Sequence, residues 1–251
     1  MEKAWVTEIF DSIQGEGIYA GARQIFIRFS GCNLRRCSYC DSRLSWKRQR
    51  YCVVKLKAQS SKVKAQRSKL KNPITAVDII KVLKKYLTFN FQRSTFNYHS
   101  VSLTGGEPLL QADFLKELIP DLKSMGFRIY LETNGTLPAA LRGIIKNISY
   151  VAMDIKLPSA TGRRDLWEKH RRFLHVSGRK AFVKVVITKK TRAPEIIRAA
   201  SLVKGFGSSI PLVLQPAGCV ADRLLEFQEL AGRKVRDVRV IPQIHKILGV
   251  I

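Results

Sequence analysis

Residues 100–136 read SVSLTGGEPLLQADFLKELIPDLKSMGFRIYLETNGT, and this stretch holds one strand–loop–helix–strand unit. Ser100–Leu103 and Phe127–Leu131 are β-rich apolar runs, and Leu110–Met125 between them is amphipathic. Strands joined through a covering helix lie parallel, because a parallel return needs a long crossover. The pattern repeats along the chain. Further strands are expected at Gln24–Ser30, Tyr150–Asp154, Phe182–Ile187, Leu212–Gln215 and Val238–Ile241. Helical segments are expected at Arg164–Leu174, Pro194–Val203 and Asp222–Gly232, and Thr75–Asp78 reads as a capping box opening another helix. Six or seven such units predict an α/β fold with a curved or partly closed (βα) barrel. An open doubly wound sheet is the alternative.

The loops after these strands carry chemistry. Thr104-Gly105-Gly106-Glu107-Pro108 follows its strand directly. Glycines there let backbone approach a ligand closely, and Glu107 offers a carboxylate to an ammonium group. Glu132-Thr133-Asn134-Gly135-Thr136 ends the next strand. Ligands gather at the carboxyl ends of parallel strands, so these loops should share one face. The strand Gln24–Ser30 leads onto that face with Gly31-Cys32-Asn-Leu-Arg-Arg-Cys37-Ser-Tyr39-Cys40-Asp41-Ser42.

Three of the five cysteines therefore fall within nine residues. A disulfide framework would spread an even number along a secreted chain, so a metal centre is the better reading. Three thiolates can hold three irons of a four-iron cluster and leave the fourth open to a ligand. The spacing also fits the start of a plant-type ferredoxin site or a structural zinc site. Either would need a fourth ligand, with Cys52, Cys219 or a histidine as candidates.

The 251 residues carry a net charge of +26, and eleven basic residues with no acid lie between Arg43 and Lys71. Such a field attracts polyanions and anionic small molecules. Within it Lys55-Leu-Lys-Ala-Gln-Ser-Ser is followed by Lys62-Val-Lys-Ala-Gln-Arg-Ser. One apolar residue per seven is too few for a coiled coil. The stretch at about 43–72 is expected to be a solvated loop or loose helix inserted in a single domain of 1–251. Deleting roughly Lys47–Lys69 should then spare catalysis and weaken any salt-sensitive nucleic-acid contact. No apolar run is long enough for a membrane span. MEKAWVTEIFDSIQGEG lacks the apolar stretch of a secretory signal, which points to the cytoplasm.

With these motifs on the page, the sequence resembles the radical S-adenosylmethionine superfamily and, within it, the 7-carboxy-7-deazaguanine synthase family of the queuosine precursor pathway. The resemblance runs through IFDSIQGEG, RFSGCNLRRCSYCDS, TGGEP, ETNGT, MDIKLPS, FVKVVIT, LQP and IPQIHK, in order. It implies a partial (βα) barrel of the radical SAM type. Cys32, Cys37 and Cys40 would ligate a [4Fe-4S] cluster, and Tyr39 would lie beside the adenine of S-adenosylmethionine. Gly105, Gly106 and Glu107 would receive the methionyl ammonium, with Thr133, Asp154 and Lys156 near the cofactor's other polar groups. Gln14, Glu16 and Arg28 match substrate-binding positions. The implied reaction converts 6-carboxy-5,6,7,8-tetrahydropterin to 7-carboxy-7-deazaguanine with loss of ammonia, a 5′-deoxyadenosyl radical taking the C6 hydrogen. A Mg2+ ion, an electron donor such as flavodoxin or ferredoxin, and a homodimer are also implied.

Two departures stand out. The family spacing is Cys-x3-Cys-x2-Cys, and this chain has one more residue, Arg35 or Arg36. Ser42 replaces the family's threonine but keeps a hydroxyl for Mg2+. Other readings compete. Arg28 could be a salt-bridged strand residue, Asp41 a cap and Lys156 a snorkelling side chain. His245 and Lys246 are given no role. A radical activase would need an open protein-binding surface. An iron–sulfur electron carrier or a zinc-dependent RNA-binding module would leave TGGEP and ETNGT unexplained.

Overall fold

The computed structural model describes residues 1–35, 37–56, 66–89, 98–163, 166–207, 209–218 and 221–249. Strands along the chain are β1 (Lys3–Ala4), β2 (Val6–Ile13), β3 (Arg23–Phe29), β4 (Tyr51–Leu56), β5 (Gln66–Lys71) and β6 (Ile74–Thr75). They continue with β7 (Ser100–Gly105), β8 (Ile129–Thr133), β9 (Tyr150–Ile155), β10 (Ala181–Ile187), β11 (Leu212–Pro216) and β12 (Val238–Val240). The helices are α1 (Ala76–Phe89), α2 (Ala112–Ser124), α3 (Pro138–Arg142), α4 (Pro158–Thr161), α5 (Trp167–Ser177), α6 (Ala193–Lys204), α7 (Leu224–Gly232) and α8 (Ile244–Ile247). None of the described helices is long and apolar enough to cross a membrane.

Ten strands form one sheet in the order β12-β11-β10-β9-β8-β7-β3-β2-β4-β5. β3 and the strands from β7 through β12 form a parallel run, in which β3 pairs with β7 and each later strand with the next along the chain. A doubly wound sheet reverses its strand order at a switch point. Within this parallel run the order never reverses, which is the winding of a barrel. All seven strands expected from the sequence are present. The capping box also forms, with Thr75 N donating to Asp78 Oδ2 at 2.9 Å and Asp78 N to Thr75 Oγ1 at 3.2 Å.

The two faces of the sheet are filled differently. Alternate residues such as Val101, Leu103, Leu131, Val151, Val183, Val185 and Leu214 join the main core with Phe114, Leu118, Phe173 and Ile196 from the helices. On the other face Tyr130, Ala152, Phe182 and Val213 form a second cluster with Tyr19 and Tyr150 packed against it. Tyr130, Tyr150 and Phe182 lie in the first two positions of their strands, so this cluster plugs the amino-terminal end. The carboxyl end stays open.

Two features differ from expectation. Val6–Ile13 is a strand, antiparallel to β3 and parallel to β4. The basic stretch is not simply a solvated loop or loose helix. Its flanks pair as the antiparallel hairpin strands β4 and β5, which extend the sheet past β2. Cys52 and Val54 on β4 enter the main core. Residues 57–65, which hold much of the seven-residue repeat, lie outside the described residues.

Candidate active site

The three loops expected to converge are tied together by backbone and amide contacts. Gly106 N donates to Phe29 O at 3.1 Å and Glu107 N to Gly31 O at 2.8 Å. Gly31 N in turn donates to Ser45 O at 2.7 Å. Asn33 Nδ2 reaches Thr136 Oγ1 at 2.9 Å, and Asn134 Nδ2 reaches Asn33 Oδ1 at 2.8 Å. Gly106 is required by this packing: a Cβ there would stand 2.1 Å from Gly31 O. Gly105 has φ +133°, a region that L side chains rarely adopt.

These loops wall a cavity of about 590 Å³ at the carboxyl ends of the strands. Of the residues that the resemblance gives to the cluster, cofactor, Mg2+ and substrate, all but Glu107 line it: Gln14, Glu16, Arg28, Cys32, Cys37, Tyr39, Cys40, Ser42, Gly105, Gly106, Thr133, Asp154 and Lys156. Cys32, Cys37 and Cys40 sit in a small apolar cluster with Leu34, Tyr39 and Trp46. The Trp46 indole Nε1 lies 3.2 Å from Cys40 Sγ. Burial pushes the Cys37 thiol up, while the Lys156 ammonium draws it down.

The longer cysteine loop is accommodated at Arg35. It takes φ 53°, and its Nε donates to Cys32 O at 2.8 Å. A left-handed residue tightens the turn, which lets Cys32 and Cys37 face the same space despite the added residue. Cys52 lies in the main core away from them, and Cys219 lies outside the described residues. Thus no fourth described cysteine faces the cavity.

Glu107 stands apart from the residues that line the cavity. Its carboxylate is buried and turned into the loops, accepting from Leu109 N (3.1 Å), Thr133 Oγ1 (2.9 Å) and Asn134 N (2.8 Å). In this position it shapes the TGGEP and ETNGT walls. Burial pushes its carboxyl up to about 7 against these three donors. Glu107→Gln replaces an acceptor with an amide N–H facing N–H or O–H donors. We expect a loss of about 1–3 kcal/mol of stability in urea unfolding, the usual cost of a buried unsatisfied group.

Arg28 is salt-bridged and also lines the cavity. Its Nε bonds Glu8 Oε1 at 2.8 Å, its Nη1 bonds Ser42 Oγ at 2.8 Å, and the guanidinium lies over Phe10 while lining the cavity. Gln14 is more constrained than expected. Its Nε2 donates to Gln24 Oε1 (3.0 Å) and Glu132 Oε1 (2.7 Å), and its Oε1 accepts from Glu16 N (3.0 Å). It fixes the QGEG loop and keeps acceptor capacity on its carbonyl.

The sequence reading missed several cavity residues. Lys184 on β10 pairs with Glu16 and stands 3.5 Å from Asp154 Oδ1. Gln243 Nε2 donates to Glu16 Oε1 at 2.6 Å. Burial opposes the charge on Glu16, but Lys184 and Gln243 outweigh it and hold the carboxyl at about 2. His245 and Lys246, given no role, each stand 3.8 Å from Asp41 Oδ2 and line the cavity. One signal was readable: a lysine amid the apolar run FVKVVI needs a counter-ion.

The cavity also offers donors to a divalent cation. Glu16, Asp41 and His245 each place a donor atom within 4.8 Å of the others. Both oxygens of Glu16 already face Lys184 and Gln243, so the Asp41 side is the better cation position. Ser42 Oγ is there too, donating to Asp41 Oδ1 at 3.1 Å.

Three thiols with no fourth facing the cavity among the described residues, beside a buried acceptor without a hydrogen bond at Asp154 Oδ1, suit an open cluster with a polar ligand. Comparison with known proteins agrees. Residues 26–187 match the Radical SAM superfamily. A 7-carboxy-7-deazaguanine synthase of Geobacter sulfurreducens is 40% identical over 98% of this chain and 97% of its own. One of Methanopyrus kandleri is 38% identical, covering 98% and 94%. The crystal structure of QueE from Escherichia coli has a similar fold, with a TM-score of 0.60 at 21% identity over 96% of this chain and 94% of that one. The chain is a radical SAM protein, whose chemistry uses a [4Fe-4S] cluster and S-adenosylmethionine. Within that superfamily it belongs to the 7-carboxy-7-deazaguanine synthase family.

Proposed function

We propose that this chain converts 6-carboxy-5,6,7,8-tetrahydropterin to 7-carboxy-7-deazaguanine with release of ammonia. The observation that carries this reading is the shared cavity: the three thiols line the same space as Glu16 and Arg28. Cys32, Cys37 and Cys40 would hold the cluster. Tyr39, Thr133, Asp154, Lys156 and the backbone of Gly105 and Gly106 would hold S-adenosylmethionine. When bound, the cluster and cofactor supply the carbon-centred radical that removes a hydrogen atom from the substrate.

The chain's own residues bind and orient the pterin. Arg28 would take its carboxylate, since a guanidinium matches a planar carboxylate through paired hydrogen bonds. Glu16, held ionised, would accept from the amino edge, and the Gln14 carbonyl would add an acceptor. Asp41 and Ser42 would hold Mg2+. Its partners would be a flavodoxin- or ferredoxin-type donor and a second copy of the chain, with 1–251 acting as one cytoplasmic domain. Nucleic-acid contact is a separable second property, favoured by the exposed Arg67, Lys69 and Lys71 on alternate positions of β5.

The test is an anaerobic assay with carboxytetrahydropterin, reductant and S-adenosylmethionine. Deazaguanine product supports the reading. Cofactor cleavage without product would move the chain to another radical reaction. Arg28→Lys keeps the charge and loses the fork. It should weaken substrate binding by about 1–3 kcal/mol, while substrate-independent cofactor cleavage persists. Equal loss of both activities would assign Arg28 to the support of the fold.

A further inference from the structure

Lys184 is the cavity's most deeply buried cation, with only 3% of its side chain exposed. Its position follows from strand register. Lys184 on β10 is the parallel neighbour of Asp154 on β9, so both side chains leave the sheet on the same face. From there the ammonium bonds Glu16 Oε2 closely and stays 3.5 Å from Asp154 Oδ1. The other Asp154 oxygen, Oδ2, accepts from Lys156 Nζ at 2.8 Å. Lys156 Nζ lies 5.2 Å from the centre of the Tyr39 ring. Charges of alternating sign thus run from the QGEG loop, through Glu16, Lys184, Asp154 and Lys156, to the cysteine loop.

The chain has one slack joint. A contact of 3.5 Å is long for a charged hydrogen bond, and Asp154 Oδ1 is buried without a hydrogen bond. An ammonium has three donors and can divide them between two carboxylates. Burial opposes the Lys184 charge, but Asp154, Glu16 and Glu132 together hold it above the ordinary lysine value. The ammonium therefore stays charged whichever carboxylate it favours.

We infer that Lys184 is a positioning residue that makes pterin binding at Glu16 and S-adenosylmethionine binding beside Asp154 and Lys156 depend on each other. N–H donors of a pterin reaching Glu16 compete with the ammonium for Oε2. The ammonium then turns to Asp154 Oδ1, which fixes Asp154 and, through it, Lys156 on the cofactor side. The coupling is reciprocal, because linkage between two binding sites has one free energy. This inference rests on the substrate and cofactor assignments proposed above, and its test separates the two.

The probe is 6-carboxypterin, an oxidised fluorescent analogue, titrated into cluster-reconstituted protein with and without saturating S-adenosylmethionine. In the unaltered protein the cofactor should tighten carboxypterin binding by roughly 5–150-fold, the usual span of coupling between sites. In Lys184→Met the ratio should fall to near one, with cluster iron content retained. Lys184→Gln keeps the length and one donor, and serves if the methionine variant does not fold. A folded variant that weakens both affinities equally and keeps the ratio would overturn the inference, as would a ratio of one in the unaltered protein. Failure of the unaltered protein to bind carboxypterin at all would instead overturn the proposed function.

Discussion

Alanine at Cys32, Cys37 or Cys40 should reduce cofactor cleavage to background and remove the cluster, from about four irons per chain to none retained stably. All three thiols line the cavity, and no other described cysteine does. Cys52 supplies the internal control. It is fully buried in the main core, and burial pushes its thiol up to about 12. A thiol held in that state is a small apolar side chain, not a metal ligand. Cys52→Ala should therefore keep its iron and its turnover and lose on the order of 0.5–3 kcal/mol of stability, as core substitutions do. Iron and visible absorbance after anaerobic reconstitution decide the matter. Cluster loss in Cys52→Ala would point to a four-cysteine electron carrier.

Removal of residues 47–69 should prevent folding, against the expectation that composition alone raised. The deletion takes all of β4 and most of β5. It strips Cys52 and Val54 from the core, worth about 3–6 kcal/mol at the usual value per buried side chain. It also breaks the Lys55–Glu8 pair at 2.8 Å, which helps hold the carboxylate that orients Arg28. Set against a typical total stability of about 5–15 kcal/mol, that loss is large. Exchanging only residues 57–65 for a Gly-Ser linker leaves both strands in the chain and should preserve iron binding and turnover. Soluble, cluster-bearing protein from the larger deletion would show that the hairpin is dispensable.

The parallel part of the fold was legible because its strands are largely apolar runs between helical patterns. Tyr150–Ile155 and Ala181–Ile187 need little context to be read as buried strands. Val6–Ile13 was not legible, because Glu8 and Asp11 break its apolar pattern. Their partners come from elsewhere: Arg28 and Lys55 for Glu8, Arg23 and Tyr86 for Asp11. The hairpin was obscured by its charge, although Cys52 and Val54 alternate inward. At the site, the cysteines and glycine loops announced themselves through spacing. The direction of Glu107 did not, since a motif names a carboxylate without saying which donors will claim it. Lys184 could be suspected from its apolar neighbours, but its partner Glu16 lies 168 positions away.

The QGEG loop is held by a segment far along the chain from it. Ile244 N donates to Gly15 O at 2.9 Å, and Gln243 reaches Glu16 across 227 positions. A Cβ on Gly15 would stand 2.0 Å from the His245 ring, so the two segments lie in direct contact. During synthesis on a ribosome, the cysteine loop and its glycine-rich neighbours emerge early and can meet one another. The segment that braces Glu16 emerges long after them. A nascent chain can therefore gather its thiols while Glu16, the carboxylate proposed to read the pterin, still lacks that brace.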